Sequence, residues 1–414
     1  MRFDQLLQNR LAKHKAANLY RQRKTVLNQT LLGQQLHGQP LPVVNFCSND
    51  YLGLSQHPKV KAAASQAINA YGIGSGASHL VSGHSHYHHT LEQALAIATG
   101  RARAVLLSTG YMANLGVITA LLGKAQHVIG DKLNHASLID ACQLAEAKNS
   151  VKQFYRYNHC DLAHLELRLQ KAPPHSLVVT DGVFSMDGNS APLVEIAALC
   201  KQYHAILVVD DAHGFGCVGE NGVGSVQAAG LNADDVPIYM GTLGKALGGF
   251  GAFVAGSDAL IEALIQFARP YIYTTALPPA VAAANYQSLQ LITQNKTLIA
   301  KLNSNIAIFT TLISAKCQAA HLETGAHWRQ AQLLPSRTAI QPLLLGCEKT
   351  TLAVANHLMA AGFWVGAIRP PTVPKGTARL RITLSANHSA SQIEALVTAL
   401  DSALGDVVSH PALH

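Results

Sequence analysis

Charged and aromatic residues are both scarce in this chain. Asp, Glu, Lys and Arg make up 13% of its 414 residues and Phe, Trp and Tyr make up 6%, whereas 49% are hydrophobic. A composition this apolar excludes a disordered protein and predicts a large and a smaller domain. No run reaches the ~18 uninterrupted apolar residues of a membrane span. The first residues also lack the apolar core of a signal peptide, so we expect a soluble cytoplasmic protein with no membrane partner.

Paired cysteine motifs are missing as well. The cysteines are odd in number, widely scattered and never arranged as C-x-x-C, which indicates a reducing compartment without disulfides or structural zinc. They are Cys47, Cys142, Cys160, Cys200, Cys217, Cys317 and Cys347.

Acidic residues are absent between Gln5 and Asn49, while the whole chain carries a net charge of +8. The basic residues of this segment fall on a predicted helix: Arg10, Lys13, Lys15, Arg21, Arg23 and Lys24. A basic arm attracts anions such as nucleic acid or a phosphate-bearing substrate. An import signal and a solvated helix face are equally open interpretations.

Short apolar runs between Ala104 and Ala255 alternate with Gly, Ser or Asp turns and longer helical stretches. Uniformly apolar runs predict strands that are covered on both faces, and hence a largely parallel sheet with helical crossovers. Ligands of such sheets bind beyond the carboxyl ends of the strands. The runs are AVLLS, HVIG, SLVVT, AILVVD, PIYM and AFVA.

The C-terminal third has a different pattern of apolar residues. It contains the apolar runs AIQPLLLG, FWVGAI and ARLRITLS and an amphipathic stretch from Ser389 to Leu404. This pattern predicts a smaller α+β domain. We expect a basic helical arm over residues 1–45, a large α/β domain over 46–280 and the small domain over 281–414.

Asp210 ends the run AILVVD, and His213 follows in D-D-A-H-G-F-G. A carboxylate at a strand end in a dry site favours the protonated form of a ring nitrogen bonded to it. His213 could donate a hydrogen bond to a phenolic oxygen of the same flat ligand. Asp211 is better explained as a helix cap.

Lys245 lies in the next turn, M-G-T-L-G-K-A-L-G-G-F-G. A lysine presented by a glycine-rich turn and partly desolvated is suited to form a Schiff base. Phosphate binding is the alternative, but Ala246 follows the lysine where a Walker A motif needs Ser or Thr. Thr242 offers a hydroxyl to a phosphate.

The turn S-T-G-Y-M-A-N, from Ser108 to Asn114, opens a helix after AVLL. Backbone N–H groups at a helix start bind phosphate, and Gly110 allows close approach. A phosphate site, a pyridinium partner and a Schiff-base lysine on separate strand ends of one sheet together predict a pyridoxal 5'-phosphate (PLP) site.

The chain resembles the α-oxoamine synthase family of fold-type-I PLP enzymes from about Arg21 to the closing helix. The segments that carry the resemblance are NFCSNDYLGL, GIGSGASHLVSGHSHYHHTLE, LNHASL, GVFSMDG, VDDAHGFG, TLGKALGG, IYTTALPPA and AIRPPTVPKGTARLRITLS. It implies a fold-type-I PLP-dependent transferase with a large, mostly parallel seven-stranded sheet domain and a smaller α+β C-terminal domain. The implied reaction is an acyl transfer in which an amino acid condenses with an acyl thioester and loses carbon dioxide.

The resemblance implies a cofactor role for each of these residues: Gly110, Tyr111, His135, Ser185, Asp210, His213, Thr242, Lys245, Thr274 and Thr275. Lys245 would form the Schiff base, with Asp210 on the pyridine nitrogen and His213 near the phenolic oxygen. His135 would stack on the ring, and these four residues are the expected catalytic group. Gly110, Tyr111 and Thr242 would hold the phosphate, with Ser185 beside the cofactor.

Substrate roles implied by the resemblance fall on Arg21, Asn49, His135, Arg369 and Thr372. Arg369 would bind the amino-acid carboxylate through its two-donor fork. Asn49 and Thr372 would line the pocket, and Arg21 would meet the acyl group.

The resemblance implies L-alanine and a pimeloyl thioester as the substrates, with the acyl group carried by coenzyme A or by an acyl carrier protein. A family member that uses glycine and acetyl-CoA is the alternative, because Cys47 stands where many relatives have serine and also occurs in glycine-using relatives. The family implies a homodimer in which Thr274 and Thr275 reach the neighbour's phosphate. Nucleic-acid binding is not expected, because no aromatic stacking pattern accompanies the basic arm.

Histidines crowd one segment and raise the question of a metal site. They are His79, His84, His86, His88 and His89. Their spacing matches no H-E-x-x-H motif, and we predict no metal.

Overall fold

The computed structural model describes residues 3–16, 19–21, 23–27, 30–36, 39–121, 123, 126–320 and 323–409. The helices are α1 (Phe3–Ala16), α2 (Pro58–Tyr71), α3 (His86–Thr99), α4 (Gly110–Ala120), α5 (Ala136–Ala147), α6 (Leu162–Leu169), α7 (Leu193–Gln202), α8 (Ser225–Ala228), α9 (Asp258–Phe267), α10 (Arg269–Ile272), α11 (Pro279–Gln294), α12 (Thr297–Ala319), α13 (Glu348–Ala360) and α14 (Ala390–Ser409).

The strands are β1 (Thr25–Leu27), β2 (Thr30–Leu36), β3 (Gln39–Pro42), β4 (Val44–Asn45), β5 (Arg103–Leu107), β6 (His127–Asp131), β7 (Gln153–Tyr157), β8 (Leu177–Asp181), β9 (Ile206–Asp210), β10 (Ile238–Thr242), β11 (Ala252–Gly256), β12 (Gln332–Leu333), β13 (Ile340–Gly346), β14 (Phe363–Trp364), β15 (Gly366–Ile368) and β16 (Ala378–Thr383). Short 3-10 segments cover Leu54–Gln56 and Glu323–Gln330, and a π-helical turn covers His79–Gly83.

The chain divides into two compact units. The larger unit comprises Asn49–Ser185 and Asn189–Leu302, and the smaller one comprises Met1–Ser48, Met186–Gly188 and Asn303–His414. This division differs from the expected limit at residue 280. The reason is that α11 packs against α2 and α3, where the small side chains of Ala67, Ala280 and Ala283 form a buried contact.

The larger unit is built on a seven-stranded sheet in the order β5-β11-β10-β9-β8-β6-β7. Strands β10, β9, β8, β6 and β7 pair in parallel, and β11 runs antiparallel to both of its neighbours. The expectation of a mostly parallel seven-stranded sheet is confirmed. Strands β6, β8, β10 and β11 are buried along their whole length, which is why apolar residues predominate in their sequences.

Strand β7 was not among the expected runs. Its sequence, QFYRY, is polar at two positions, and its residues before Tyr157 are exposed or partly exposed. It lies at the end of the strand order, and an edge strand needs no continuous apolar run.

The smaller unit contains the four-stranded sheet β12-β13-β16-β15, whose pairs are antiparallel. Its strands β13, β15 and β16 and the adjacent short strand β14 account for the runs AIQPLLLG, FWVGAI and ARLRITLS. The amphipathic stretch expected from Ser389 to Leu404 is α14, which continues to Ser409.

The N-terminal segment differs from the expected helical arm. Helix α1 ends at Ala16, so Arg21, Arg23 and Lys24 lie outside it. The β-branched Thr25 and Val26 favour an extended backbone, and β1, β2 and β3 form a small sheet.

Helix α12 is the one helix among the described residues that is long and apolar enough to cross a membrane by length and composition. Its large apolar side chains follow a helical stripe and are buried within the protein: Ile299, Leu302, Ile306, Phe309 and Ile313. A buried stripe of this kind is typical of a core helix.

Asp401 on α14 generates a prediction about stability. Its carboxylate accepts hydrogen bonds from Lys316 Nζ at 2.6 Å, Trp328 Nε1 at 2.6 Å and His327 Nε2 at 2.7 Å. Burial raises the pKa of Asp401, but these hydrogen bonds outweigh it and lower the pKa to about 2. Because the folded-state pKa lies below the unfolded value, the stabilisation is complete above the unfolded pKa and is lost as the pH falls through about 2.

We expect Asp401→Asn to lower the free energy of unfolding at pH 7 by about 1 kcal/mol, since the site is partly exposed and screened. The difference from the wild type should shrink as the pH falls through the acid range, as measured by urea unfolding. Asp406→Asn on the same helix is the control and should change little. An equal loss at every pH would contradict this role of Asp401.

Candidate active site

Polar side chains collect where β6, β8, β9 and β10 end. Asp181 ends β8, Asp210 ends β9, His135 precedes α5 and Lys245 follows β10. These strands are neighbours in the sheet and run in parallel, so their carboxyl ends meet at one edge. The fold thereby gathers residues that are more than a hundred positions apart in the chain.

The Asp210 carboxylate is buried and accepts two well-defined hydrogen bonds. Asn114 Nδ2 donates to Asp210 Oδ2 at 2.7 Å, and the backbone N–H of Ala212 donates to Oδ1 at 3.0 Å. Asn114 is itself buried on α4, and its Nδ2 also donates to Ser137 Oγ at 2.8 Å. Asp210 therefore has a fixed orientation, as a partner of a protonated ring nitrogen requires.

Lys245 and His213 lie in direct contact. Lys245 Nζ is 2.7 Å from His213 Nε2, and His213 Nδ1 is 2.6 Å from the hydroxyl of Tyr51. The Tyr51 hydroxyl also lies 3.3 Å from Asn49 Oδ1, a longer contact than its contact with His213 Nδ1. When the Tyr51 hydroxyl donates to Nδ1, the ring proton of His213 is on Nε2, the nitrogen that faces Lys245.

The turn that presents Lys245 needs its glycines. Gly248 has φ of +68°, and a side chain there would collide with the backbone of Leu54 and Ser55. The N–H of Gly248 donates to the Lys245 carbonyl at 2.9 Å and closes the turn.

His135 is the N-cap of α5, where its Nδ1 accepts from the N–H of Ser137 at 3.3 Å and lies 2.7 Å from Ser137 Oγ. Its backbone N–H donates to Asp181 Oδ2 at 2.7 Å. Burial lowers the pKa of His135, and the Asp210 carboxylate opposes this while Lys245 adds to it. A neutral imidazole with a fixed ring plane suits stacking on a flat cofactor.

Asp181 is fully buried, and burial followed by the charge of Asp210 raises its pKa well above the ordinary value. Asp211, the neighbour of Asp210, faces a separate network. It accepts from Ser225 N at 2.7 Å, Ser225 Oγ at 2.6 Å and Tyr239 OH at 2.9 Å. Because Ser225 begins α8, the capping interpretation of Asp211 agrees with these contacts.

The phosphate residues expected from the sequence lie at three turns. Gly110 and Tyr111 begin α4, whose N-cap Thr109 accepts from Met112 N at 3.2 Å. The first N–H groups of a helix have no carbonyl acceptor within the helix, so they can bind an anion.

Thr242 was expected at the phosphate of its own subunit, and Thr274 and Thr275 at the phosphate of the neighbouring subunit. Thr275 lies beside the turn before α4, since Ser108 Oγ contacts its carbonyl at 3.5 Å, and Thr274 precedes it in the chain. The Thr242 hydroxyl donates to the Gly251 carbonyl at 3.0 Å. Ser185, expected beside the cofactor, follows β8 and is partly buried.

The substrate residues expected from the sequence belong to different units. Asn49 is in the larger unit, next to Tyr51, whereas Arg21, Arg369 and Thr372 are in the smaller one. Arg21 NH2 lies 3.5 Å from Thr372 Oγ1, and the Thr372 N–H donates to the Arg369 carbonyl at 3.1 Å. The fold thus gathers three of these residues although Arg21 and Thr372 are 351 positions apart.

The histidine-rich segment forms mutual ring contacts. His79 Nδ1 lies 2.9 Å from His84 Nδ1, and His88 Nε2 lies 2.6 Å from the Leu277 carbonyl. Burial lowers the pKa of His79 to about 3, and the neighbouring His88 and His84 add to this. Within the described ranges, these histidines are not part of any three-residue group with donor atoms close enough to share an ion.

The residues present fit PLP. A buried, hydrogen-bonded carboxylate suits the ring nitrogen, an amine within 2.7 Å of an imidazole suits the aldehyde carbon, and the start of α4 suits the phosphate.

Comparison with known proteins defines the class. The family model for aminotransferase class I and II matches residues 42–400. A serine palmitoyltransferase solved with PLP superposes with a TM-score of 0.85 and 29% identity, and the match covers 97% of both chains. The protein is a fold-type-I PLP enzyme.

Relatives with higher sequence identity identify the family within this class. The 8-amino-7-oxononanoate synthase of Saccharophagus degradans is 53% identical over 98% of each chain. That of Pseudomonas aeruginosa is 52% identical over 97% of this chain and 94% of its own. The solved structure of the Francisella tularensis enzyme has a TM-score of 0.73 at 30% identity and covers 88% of this chain and 99% of its own. The chain belongs to the 8-amino-7-oxononanoate synthase family, and the resemblance to α-oxoamine synthases is confirmed.

Sequence reasoning assigned no role to Asn114, Ser137, Tyr51 or Asp181. Asn114 lies four positions after Gly110 and therefore on the same face of α4, which was an available signal. Tyr51 lies within the SNDYLGL segment, but its partner His213 is 162 positions away. A local sequence pattern cannot predict a contact over that distance.

We predict that Asn114→Ala weakens PLP binding. The variant removes a hydrogen bond to a carboxylate, which is worth about 1.5–3 kcal/mol, so the dissociation constant should rise about 10- to 100-fold. Titration of the apoenzyme with PLP, followed by visible absorbance, measures this change. Asn305→Ala, which removes a buried amide of the smaller unit, is the control and should leave PLP affinity within about twofold. Unaltered PLP affinity in Asn114→Ala would show that Asp210 keeps its orientation unaided.

Tyr51→Phe should disturb His213 without removing the ring that packs beside it. Without the hydroxyl, the proton of His213 is no longer directed to Nε2, so the pH dependence of the bound cofactor's visible absorbance should shift. Turnover should fall about tenfold, as expected for loss of one hydrogen bond, with the KM for the amino acid little changed. The control is Tyr157→Phe, at the buried end of β7. An identical absorbance profile in Tyr51→Phe and the wild type would argue against this role.

Proposed function

We propose that the enzyme condenses L-alanine with a pimeloyl thioester, with loss of carbon dioxide, to form 8-amino-7-oxononanoate in biotin biosynthesis. The observation that carries the proposal is identity of about half of all residues with 8-amino-7-oxononanoate synthases over nearly the full length of both chains. The buried groups around Asp210 and Lys245 supply the chemistry that this reaction requires.

PLP, when bound, supplies an electron sink for the carbanion that forms at the amino-acid α-carbon. The roles of the chain's own residues are proposals. Asp210, oriented by Asn114, keeps the ring nitrogen protonated and so maintains that sink. Lys245 binds the cofactor at rest and, once displaced by the substrate amine, takes the α-proton on Nζ. His213 donates to the phenolic oxygen through Nε2.

His135 and Arg369 determine which bond breaks. A ring stacked by His135 presents one face, and a guanidinium that binds the substrate carboxylate through two parallel hydrogen bonds fixes the rotation about the α-carbon. Gly110, Tyr111 and Thr242 bind the phosphate, with Ser185 beside the cofactor. Asn49, Thr372 and Arg21 are proposed to contact the substrates, with Arg21 toward the acyl group.

The oligomeric state and location are also proposals. A cytoplasmic homodimer is the expected form, in which Thr274 and Thr275 of each subunit reach the other subunit's phosphate. The acyl group arrives on coenzyme A or on an acyl carrier protein, and the basic residues of the N-terminal segment suit either anionic carrier.

A substrate matrix tests the function. L-alanine, glycine and L-serine are each combined with pimeloyl-CoA and acetyl-CoA, and thiol release is measured. L-alanine with pimeloyl-CoA should be fastest, by roughly tenfold or more over glycine, because one methyl group in a pocket is worth about 10- to 200-fold. Lys245→Ala should lose about 10²–10⁴ in turnover. Preference for glycine and acetyl-CoA would assign the enzyme to the glycine-using acyltransferases instead.

A further inference from the structure

Asp131, His159 and Cys160 form a compact group at the same edge of the sheet, called here the Asp–His–Cys cluster. Asp131 ends β6, and His159 and Cys160 follow β7. Of the described residues, these three are the one group of His, Cys, Asp or Glu whose donor atoms all lie within 4.8 Å of one another. We propose that the Asp–His–Cys cluster binds a divalent metal ion of the Zn²⁺ class.

The distances within the cluster resemble the edges of a coordination polyhedron. Asp131 Oδ1 lies 3.0 Å from His159 Nδ1, and Cys160 Sγ lies 3.7 Å from the same nitrogen. Tetrahedral Zn²⁺ with ordinary bond lengths separates N and O ligands by about 3.4 Å and N and S ligands by about 3.6 Å. Cys160 Sγ is also 3.6 Å from His159 Nε2, so the thiol does not lie along the lone pair of Nδ1. An ion can take the place of the proton that His159 Nδ1 shares with Asp131 after rotation of the Cys160 or His159 side chain brings the thiol to it.

The donor types agree with this class of metal. A thiolate, an imidazole and a carboxylate together suit Zn²⁺ and its neighbours Co²⁺ and Ni²⁺, whereas Mg²⁺ and Ca²⁺ prefer oxygen ligands alone.

The cluster is held by an outer layer of hydrogen bonds. The backbone N–H groups of Leu133 and Cys160 donate to the two oxygens of Asp131 at 2.7 and 2.8 Å. The side-chain amide of Asn189 lies 2.9 Å from His159 Nε2, while its Oδ1 is buried with no hydrogen-bond partner. Exchanging the amide O and N lets Oδ1 accept from His159 Nε2–H, the contact that normally orients a metal-binding histidine.

The backbone at Cys160 is unusual. Its φ is +52°, in the left-handed region that costs a residue other than glycine about 1 kcal/mol or more. In this conformation Cys160 Sγ lies against the imidazole of the preceding residue, and its own N–H reaches Asp131. Strained backbone of this kind is concentrated at functional sites.

An ion can reach the cluster from solvent. The His159 side chain is 26% exposed, whereas that of Asp131 is 1% exposed. Three protein ligands with one accessible side leave a fourth position for water, which is typical of exchangeable rather than structural sites.

The cluster also contacts the segments that carry two proposed cofactor residues. Asp131 lies four positions before His135, and the Phe184 ring packs edge-on against His159 at 4.4 Å, directly before Ser185. A bound ion would restrict both segments, so this site offers a way for metal availability to act on the enzyme.

The test uses the full-length PLP-loaded enzyme, treated with chelator and transferred to buffer without amino acids. Calorimetric titration with ZnCl₂ should give one site per chain. Titration with CoCl₂ should give the visible d–d bands of tetrahedral Co²⁺, at longer wavelength than the cofactor's absorbance. Neither readout depends on turnover.

Cys160→Asn is the informative variant, because asparagine tolerates positive φ and keeps the turn while the thiol is lost. It should fold normally and bind Zn²⁺ at least tenfold more weakly, without the Co²⁺ bands. Cys347→Ser removes the exposed thiol of the smaller unit and should bind like the wild type.

Three outcomes would overturn the proposal. The first is an absence of binding by the wild type, and the second is full-affinity binding by Cys160→Asn. The third is loss of binding in His84→Asn, which would assign the metal to the histidine-rich segment instead.

Discussion

The hydrogen bond from Asn114 to the buried Asp210 carboxylate belongs to a network that links two of the proposed catalytic residues, Asp210 and His135. A carboxylate loses several kcal/mol of hydration when it is buried, and only well-placed donors compensate for that loss. Asn114 supplies one such donor at 2.7 Å, and its second hydrogen bond goes to Ser137, which contacts His135. One buried charge therefore determines how β9, α4 and α5 meet at the cofactor site.

Adjacent carboxylates at the end of β9 serve different purposes because successive residues of an extended chain point to opposite sides. Asp210 faces the proposed cofactor site, whereas Asp211 is bonded to Ser225 and Tyr239 and holds the start of α8. Burial, only partly offset by these hydrogen bonds, raises the pKa of Asp211 to about 7. In the pair D-D, Asp210 is therefore available to the proposed cofactor site, and Asp211 stabilises the fold.

Local patterns were sufficient for the central strands, because a strand covered on both faces is apolar over most of its length and carries its polar residues at its ends. They failed for β7, an edge strand with the polar sequence QFYRY. They also failed for the N-terminal segment, where the cluster of basic residues was interpreted as lying on one helix. Helix α1 ends at Ala16, and the following strands depend on pairing between β1, β2 and β3 in addition to the extended preference of Thr25 and Val26.

The sequence by itself predicted the class of enzyme, because glycine-rich turns, strand-end carboxylates and a lysine after a buried strand are local features, and the resemblance to a known family implied the cofactor residues. Only the tertiary structure decided which side chains orient them. Asn114 meets Asp210 across 96 positions, and Tyr51 meets His213 across 162. It also decided that Asp131, His159 and Cys160 lie together, because β6 and β7 pair in parallel and their carboxyl ends adjoin. Such contacts arise from the order of strands in the sheet, which no short segment of sequence encodes.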